Sequence, residues 1–75
     1  MEWRGRITLD PRKRHGQPCI RDLRITVGDI LQMFASGMSE EEILEEFPTL
    51  SRDDIRAALA YAAERERKTV VHPGA

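Results

Sequence analysis

The spacing of apolar residues changes from the first third of the chain to the rest. Residues 6–11 and 23–27 alternate between apolar and polar side chains, which is the pattern of short half-buried strands. Gly16 and Pro18 lie between them and favour a turn. Residues 19–20 are a candidate third strand. The pattern therefore predicts two short strands around a loop, with room for a third.

The remainder of the chain carries three helix-start patterns. A hydroxyl residue stands three positions before an acidic residue in Thr26/Asp29, Ser39/Glu42 and Ser51/Asp54. Each pair fits a capping box, in which the hydroxyl and the carboxylate satisfy free N–H groups at the helix start. Apolar residues occupy the hydrophobic-staple positions around each cap: Ile25 with Ile30, Met38 with Ile43, and Leu50 with Ile55. These coincident features predict three helices.

Residues that end helices fall at consistent places. Gly37 stands where a left-handed cap would close the first helix. Pro48 prevents the second helix from continuing, because it disfavours helical geometry at the preceding residue. The third helix is predicted from about residue 52 to about residue 68, where basic side chains suit its negative end. Residues 69–75 are predicted to form a flexible tail.

Helical spacing also selects a candidate core: Ile30, Leu31, Phe34, Ile43, Leu44, Phe47, Ile55, Leu59 and Ala62. Short links between the helices require tight corners. The predicted fold is α+β, with short N-terminal β-strands followed by a three-helix helix-turn-helix of winged-helix-like or homeodomain-like form. The whole chain, residues 1–75, is predicted to be one domain, with strands and a basic loop at about 6–27 and helices at about 27–68.

A length of 75 residues limits the core that this domain can build. A domain near this size buries about 60% of its unfolded surface, so a homodimer is a natural source of extra burial. The single cysteine permits no intramolecular disulfide. No apolar run approaches the ~20 residues of a membrane span, and the first residues do not resemble a signal peptide. The expected location is the cytoplasm.

Charge is distributed unevenly along the chain. Residues 1–26 carry seven Lys or Arg and three Asp or Glu, a net charge of +4. Residues 27–75 carry five and ten, a net charge of −5. Such a division favours an anionic partner at one end of the molecule and a basic partner at the other.

Several motifs together resemble a known family. They are Asp10-Pro11, Gly16-Gln17-Pro18-Cys19-Ile20-Arg21, Arg24-Ile25, Ala35-Ser36-Gly37-Met38-Ser39, Glu41-Glu42-Ile43-Leu44, Phe47-Pro48 and residues 55–62. In this order they resemble the small bacterial family catalogued as domain of unknown function 433, over residues 6–64. The resemblance implies short strands before a helix-turn-helix. It also implies an antitoxin role, since members are often encoded beside a PIN-like ribonuclease toxin. One departure is Asp22-Leu23, where the family usually has Gly-Thr.

Two groups of basic residues are candidates for operator DNA. They are the N-terminal Arg12, Lys13, Arg14, Arg21 and Arg24, and on the third helix Arg52 and Arg56. Recognition helices present their first turns to base edges, and strand ribbons also bind DNA. The glutamates of the second helix oppose this hypothesis, because phosphate neutralisation dominates affinity for duplex DNA. The helix-turn-helix as a scaffold, and a solvated basic loop, remain alternatives.

A second candidate surface is acidic and apolar. We expect it to bind a protein partner through Glu41, Glu45, Glu46, Ala60 and Tyr61. Carboxylates can imitate phosphates in the substrate groove of a ribonuclease, and a helix that is apolar on most sides is buried on more than one. A simple solvated acidic face is the alternative.

Catalytic and metal chemistry find little support in the sequence. Cys19 and His15 lie four residues apart, but a small buried cysteine is the favoured interpretation. No metal-ligand spacing, catalytic set or phosphate loop is present, so we expect no catalytic, cofactor-binding or metal-binding residues and no enzyme activity. The resulting hypothesis is an antitoxin that neutralises a PIN-like ribonuclease and represses its own operon. A protein-interaction or oligomerisation module without DNA activity is the alternative.

Overall fold

The fold begins with a very short antiparallel sheet. A computed structural model describes residues 2–68. In it β1 (Ile7–Thr8) pairs with β2 (Cys19–Ile20), so that Ile7 faces Ile20 and Thr8 faces Cys19. Two-residue strands form too few ladder bonds to stand alone. Burial of Ile7, Cys19 and Ile20 therefore anchors the sheet to the core. The tail predicted at residues 69–75 lies outside the described residues.

The second predicted strand, residues 23–27, is wrong. This stretch bends, and of its residues only Thr26 makes an isolated bridge, to Cys19. The cause is a turn that starts at Arg21, whose backbone is left-handed (φ 48°). The turn is closed by the Leu23 N–H, which donates to the Ile20 carbonyl at 2.9 Å. Residues 19–20, expected at most as a third strand, supply the partner of β1 instead.

The three predicted helices are confirmed as α1 (Val27–Ala35), α2 (Glu40–Glu46) and α3 (Arg52–Lys68). All three starts have the reciprocal hydrogen bonds of a capping box. Gly37 ends α1 with φ 99°, a conformation that glycine adopts without strain. The short α2 ends at Phe47, immediately before Pro48. The α+β fold class is therefore confirmed.

The core lies where β1 and β2 and the three helices meet. Its buried apolar members are Ile7, Ile20, Val27, Ile30, Ile43, Leu50, Ile55, Ala57, Ala58 and Tyr61. Two predicted core residues are wrong: Leu31 and Leu59 remain 38% and 41% exposed. The α3 helix turns Ala57 and Ala58 inward instead, and small side chains allow close packing against α1. Within residues 2–68 no helix is long and apolar enough to cross a membrane.

Candidate nucleic-acid and partner-binding surfaces

A fully buried carboxylate organises the junction between the sheet and α3. Asp54 is 0% exposed, yet both of its oxygens accept hydrogen bonds. Arg21 donates to it through Nε at 3.0 Å and Nη2 at 2.8 Å, and Arg6 donates through Nη1 at 2.9 Å. The backbone N–H of Ser51 donates at 3.0 Å. Asp54 thus caps α3 and holds two N-terminal arginines at once.

The electrostatics of this junction favour the ionised carboxylate. Burial raises the pKa of Asp54, but hydrogen bonds from Arg21, Ser51 and Arg6 outweigh it and hold the pKa well below its ordinary value. The same contact raises the pKa of Arg21. Arg21 Nη2 also donates to the Thr49 carbonyl at 2.8 Å. Its guanidinium is therefore engaged inside the fold, which leaves its predicted DNA contact without geometric support.

A similar internal contact engages Arg14. Its Nη1 donates to the Arg24 carbonyl at 2.6 Å and to Asp29 Oδ2 at 3.1 Å. Burial raises the pKa of Asp29, but hydrogen bonds from Thr26 and Arg14 lower it below its ordinary value. Arg14 also has a left-handed backbone (φ 46°). Non-glycine residues keep such conformations where their surroundings hold them, so Arg14 shapes the loop in addition to any contact with a ligand.

The other candidate DNA contacts lie on the surface. Arg12 pairs with Asp10 at 3.3 Å, and Arg52 pairs with Glu40 at 2.5 Å. Exposed ion pairs of this kind contribute little and exchange easily. Within the described part of the chain, the side chains of three further candidates have no hydrogen-bonded or ion-paired partner: Lys13, Arg24 and Arg56. We call these three residues the unpaired cations.

The acidic face of α2 is exposed as a surface. It comprises Glu41, Glu42, Glu45 and Glu46, while Ile43 on the opposite side is fully buried. Glu42 is engaged in the Ser39 cap. Glu41 lies 3.6 Å from Arg52, a weak exposed contact. The predicted partner residues Glu41, Glu45 and Glu46 therefore share one accessible face.

The other two predicted partner residues, Ala60 and Tyr61, lie on α3 and do not belong to the acidic face. Tyr61 is only 8% exposed, because its ring packs edge-on against Trp3 with 4.8 Å between ring centroids. Ala60 is half-buried and lines a groove of about 440 Å³ with Trp3 and Glu64. Tyr61 thus belongs to the core, with one edge at a second groove of about 290 Å³, whereas Ala60 is the more exposed of the pair.

The contact between Trp3 and α3 was missed at the sequence level. Trp3 Nε1 donates to Glu64 Oε2 at 2.6 Å, and the Arg4 guanidinium lies over the indole ring at 4.6 Å. Residues separated by 61 positions carry no local pattern that predicts such a contact. Cys19 is 1% exposed and its thiol donates to the Gln17 carbonyl, in agreement with the predicted small buried side chain.

The elements and their order define a small α+β domain, a two-stranded antiparallel sheet followed by three helices. The model of the family described as "Protein of unknown function (DUF433)" matches residues 7–62, and the chain belongs to this family. It is 38% identical over 56 residues to the uncharacterized protein y4eO of Sinorhizobium fredii (strain NBRC 101917 / NGR234). That match covers 75% of this chain and 25% of the longer protein.

A solved structure supports the same fold. The crystal structure of a DUF433 member protein from Anabaena variabilis ATCC 29413 is similar with a TM-score of 0.78 and 29% sequence identity. The similarity covers 83% of this chain and 61% of the crystallised chain. The chain thus spans a quarter of the curated relative and less than two thirds of the crystallised relative.

Proposed function

We propose that this chain is an antitoxin-like protein of a type II toxin–antitoxin pair, acting in the cytoplasm as a homodimer. It neutralises a PIN-like ribonuclease and represses its own operon, by binding and not by catalysis. The observation that carries the proposal is the exposed acidic face of α2, which includes Glu41, Glu45 and Glu46. The family resemblance supports the choice of partner.

The acidic face suits a ribonuclease because the substrate groove of such an enzyme must attract RNA phosphates. Carboxylates presented on a rigid helix compete for the same cationic groups. Since Glu45 and Glu46 have no side-chain partner among residues 2–68, binding a cation breaks no existing ion pair at either position. The half-buried Ala60 offers a separate small apolar contact on α3.

The toxin interaction is tested by co-purification with the ribonuclease encoded next to this chain. Glu45→Gln and Glu46→Gln each remove one exposed charge from the acidic face. Asp22→Asn removes one exposed charge elsewhere and is the matched control. We expect each glutamate change to weaken binding several-fold and to reduce its salt dependence, while Asp22→Asn leaves both unchanged. Equal behaviour of all three variants would contradict a role for the acidic face.

The operator interaction relies on the unpaired cations, Lys13, Arg24 and Arg56, supplemented by the loosely paired Arg12 and Arg52. Each cation that meets a phosphate releases counterions, so the affinity falls as salt rises. A homodimer that uses the unpaired cations of both copies neutralises six phosphates. The corresponding slope of log affinity against log salt is about −5.

A module without DNA activity is the second candidate function. It is favoured by the internal ion pairs of Arg14 and Arg21, which already engage two of the seven predicted DNA contacts. It is also favoured by the acidic α2, which precedes α3 in the helix-turn-helix and repels phosphates.

A binding titration with the neighbouring promoter fragment at several salt concentrations separates the two candidates. The triple variant Lys13→Gln/Arg24→Gln/Arg56→Gln removes the unpaired cations, and the internal hydrogen bonds of Lys13 and Arg24 use their backbone atoms, which these changes keep. Repression predicts salt-sensitive binding by the wild type and a much smaller salt slope in the triple variant. Absence of salt-sensitive binding by the wild type would favour the module.

A further inference from the structure

A groove between α1 and the end of α2 has no role in the surfaces described above. It has a volume of about 320 Å³ and is lined by Ile25, Asp29, Gln32, Met33, Ser36 and Phe47. Ile25, Asp29, Met33 and Ser36 follow one another at intervals of three or four residues, and Gln32 stands next to Met33. The groove therefore runs along one side of α1, from the residue before its Thr26 cap to its Ser36 cap, over about 16 Å. Its volume is at the lower end of the range for small-molecule pockets, which suits one or two side chains better than a cofactor.

The floor of the groove is apolar. Ile25, Met33 and Phe47 are half-buried, with their inner sides packed on the core. The apolar surface that they leave open favours an apolar anchor from another molecule. A methionine in the floor adapts readily to the shape of such an anchor.

One end of the groove is electrostatically negative. Ser36 is the C-terminal cap of α1, and Phe47 is the C-terminal cap of α2. Neither helix has a basic residue in its last turn, so the partial negative charge of both helix ends is uncompensated within these helices. This end therefore attracts a cation.

A complementary element is present in the same chain. Leu9 is the most exposed large apolar residue of the described chain, at 61%. Arg12 and Lys13 follow it within four residues. Leu9 thus supplies an apolar anchor that is followed closely by cations. This combination is complementary to the apolar floor and the negative end of the groove.

The loop that follows the anchor reaches one end of the groove. The loop that starts at Leu9 continues to Arg14, and Arg14 Nη1 donates to Asp29 Oδ2 at one end of the groove. A twofold-symmetric dimer needs an anchor and a site on one contiguous, self-complementary patch. The Arg14–Asp29 contact provides this continuity.

We propose that the groove is the docking site for a second copy of this chain. Leu9 of each copy enters the apolar floor of the other, and its Arg12 faces the negative end formed by Ser36 and Phe47. This inference rests on the homodimer in the proposed function and specifies its interface. It also leaves the acidic face of α2 and the exposed Leu31 and Leu59 outside the primary contact.

Sedimentation velocity over a range of concentrations tests the interface in the full chain. Leu9→Ser removes the anchor, and Ser36→Lys places a cation in the negative end of the groove. Ala35→Lys is the matched control, because it adds the same charge to the end of α1 without lining the groove. Leu31→Ser is the control for a different exposed leucine. Circular dichroism establishes that each variant keeps the wild-type helix content.

We expect Leu9→Ser to raise the dimer dissociation constant about 10- to 100-fold for each of two lost contacts. Ser36→Lys raises it at least tenfold, and Ala35→Lys and Leu31→Ser leave it near the wild-type value. An equimolar mixture of Leu9→Ser and Ser36→Lys retains one intact contact, formed by the Leu9 of the second variant in the groove of the first. Because a contact that one change has already abolished loses nothing further from the other change, the mixture dimerises more tightly than either variant alone, which loss of folding cannot produce.

Two outcomes contradict the proposal, and they differ in what they imply. A wild-type chain that stays monomeric at all concentrations overturns both the homodimer and this interface. A wild-type dimer that resists Leu9→Ser and Ser36→Lys overturns the interface alone. In that case, dissociation by Leu31→Ser assigns the dimer contact to the face between α1 and α3.

Discussion

The buried Asp54 junction gives the sharpest prediction about stability. Asp54→Asn keeps the size of the side chain but removes the charge that Arg6 and Arg21 share. Removing one partner of a buried ion pair costs about 3–5 kcal/mol. Because both arginines are 37% exposed and can recover water, we expect the lower end, about 3 kcal/mol. A 75-residue domain has about 4–11 kcal/mol in all, so this change removes at least a quarter of its stability.

Urea unfolding, followed by circular dichroism and by the fluorescence of the single tryptophan, measures the effect. The neighbouring Asp53→Asn is the matched control, since Asp53 is exposed and lies 3.7 Å from Arg6. Its expected cost is below about 0.5 kcal/mol. The change Arg21→Lys should also destabilise the chain, because a lysine cannot donate two parallel hydrogen bonds to Asp54. If Asp54→Asn costs no more than Asp53→Asn, the junction does not hold the sheet to α3 as described.

Three further predictions concern the same fold. The stabilisation from Asp54 should be complete at neutral pH and decline as the pH falls below about 4. The reason is that the pKa of Asp54 is lower in the folded chain than in the unfolded chain. Unfolding curves of the wild type and of Asp54→Asn should therefore converge in acid. Trp3→Ala should lower the melting temperature, with about 1 kcal/mol lost from the edge-on contact with Tyr61; Trp3→Phe should recover part of it, and equal losses would contradict the contact. Gly37→Ala should destabilise the chain by about 1 kcal/mol in thermal unfolding, because φ 99° strains any residue with a Cβ; a stabilising effect would contradict the described helix end.

Local chemistry explains why the helices were predictable. A capping box involves residues only three positions apart, so Thr26, Ser39 and Ser51 mark helix starts without knowledge of the fold. Helix ends at Gly37 and Pro48 are local in the same way. Short-range patterns in the sequence are therefore sufficient to predict where the three helices begin and end.

Features beyond these short-range patterns, such as contacts between residues distant in the sequence, explain why other predictions from the sequence differ from the structure. The alternating pattern of residues 23–27 predicts a strand, but the left-handed Arg21 and the Thr26 cap turn the chain into α1 instead. Asp54 was recognised as a helix cap, whereas its ion pair with Arg21 spans 33 positions and changes the role of that arginine. The predicted basic surface is divided for this reason into structural arginines and unpaired cations.

Helical spacing alone also fails to select the buried side of a helix. Leu59 has the larger apolar side chain, yet it is 41% exposed, whereas the small Ala57 and Ala58 are fully buried. The apolar groove beside α1 has the same origin. Ile25 and Met33 line this groove together with Phe47, which lies at the end of α2 and is distant from them in the sequence.

An RNA-cleavage assay tests most directly the proposed function, the neutralisation of a ribonuclease by this chain. A PIN-like ribonuclease is incubated with a labelled RNA while the chain is added up to and beyond equimolar amounts. We expect cleavage to stop when the chain is about equimolar with the ribonuclease. The variant Glu45→Gln/Glu46→Gln should require more protein for the same inhibition. A ribonuclease that remains fully active in an excess of the wild-type chain would contradict the account.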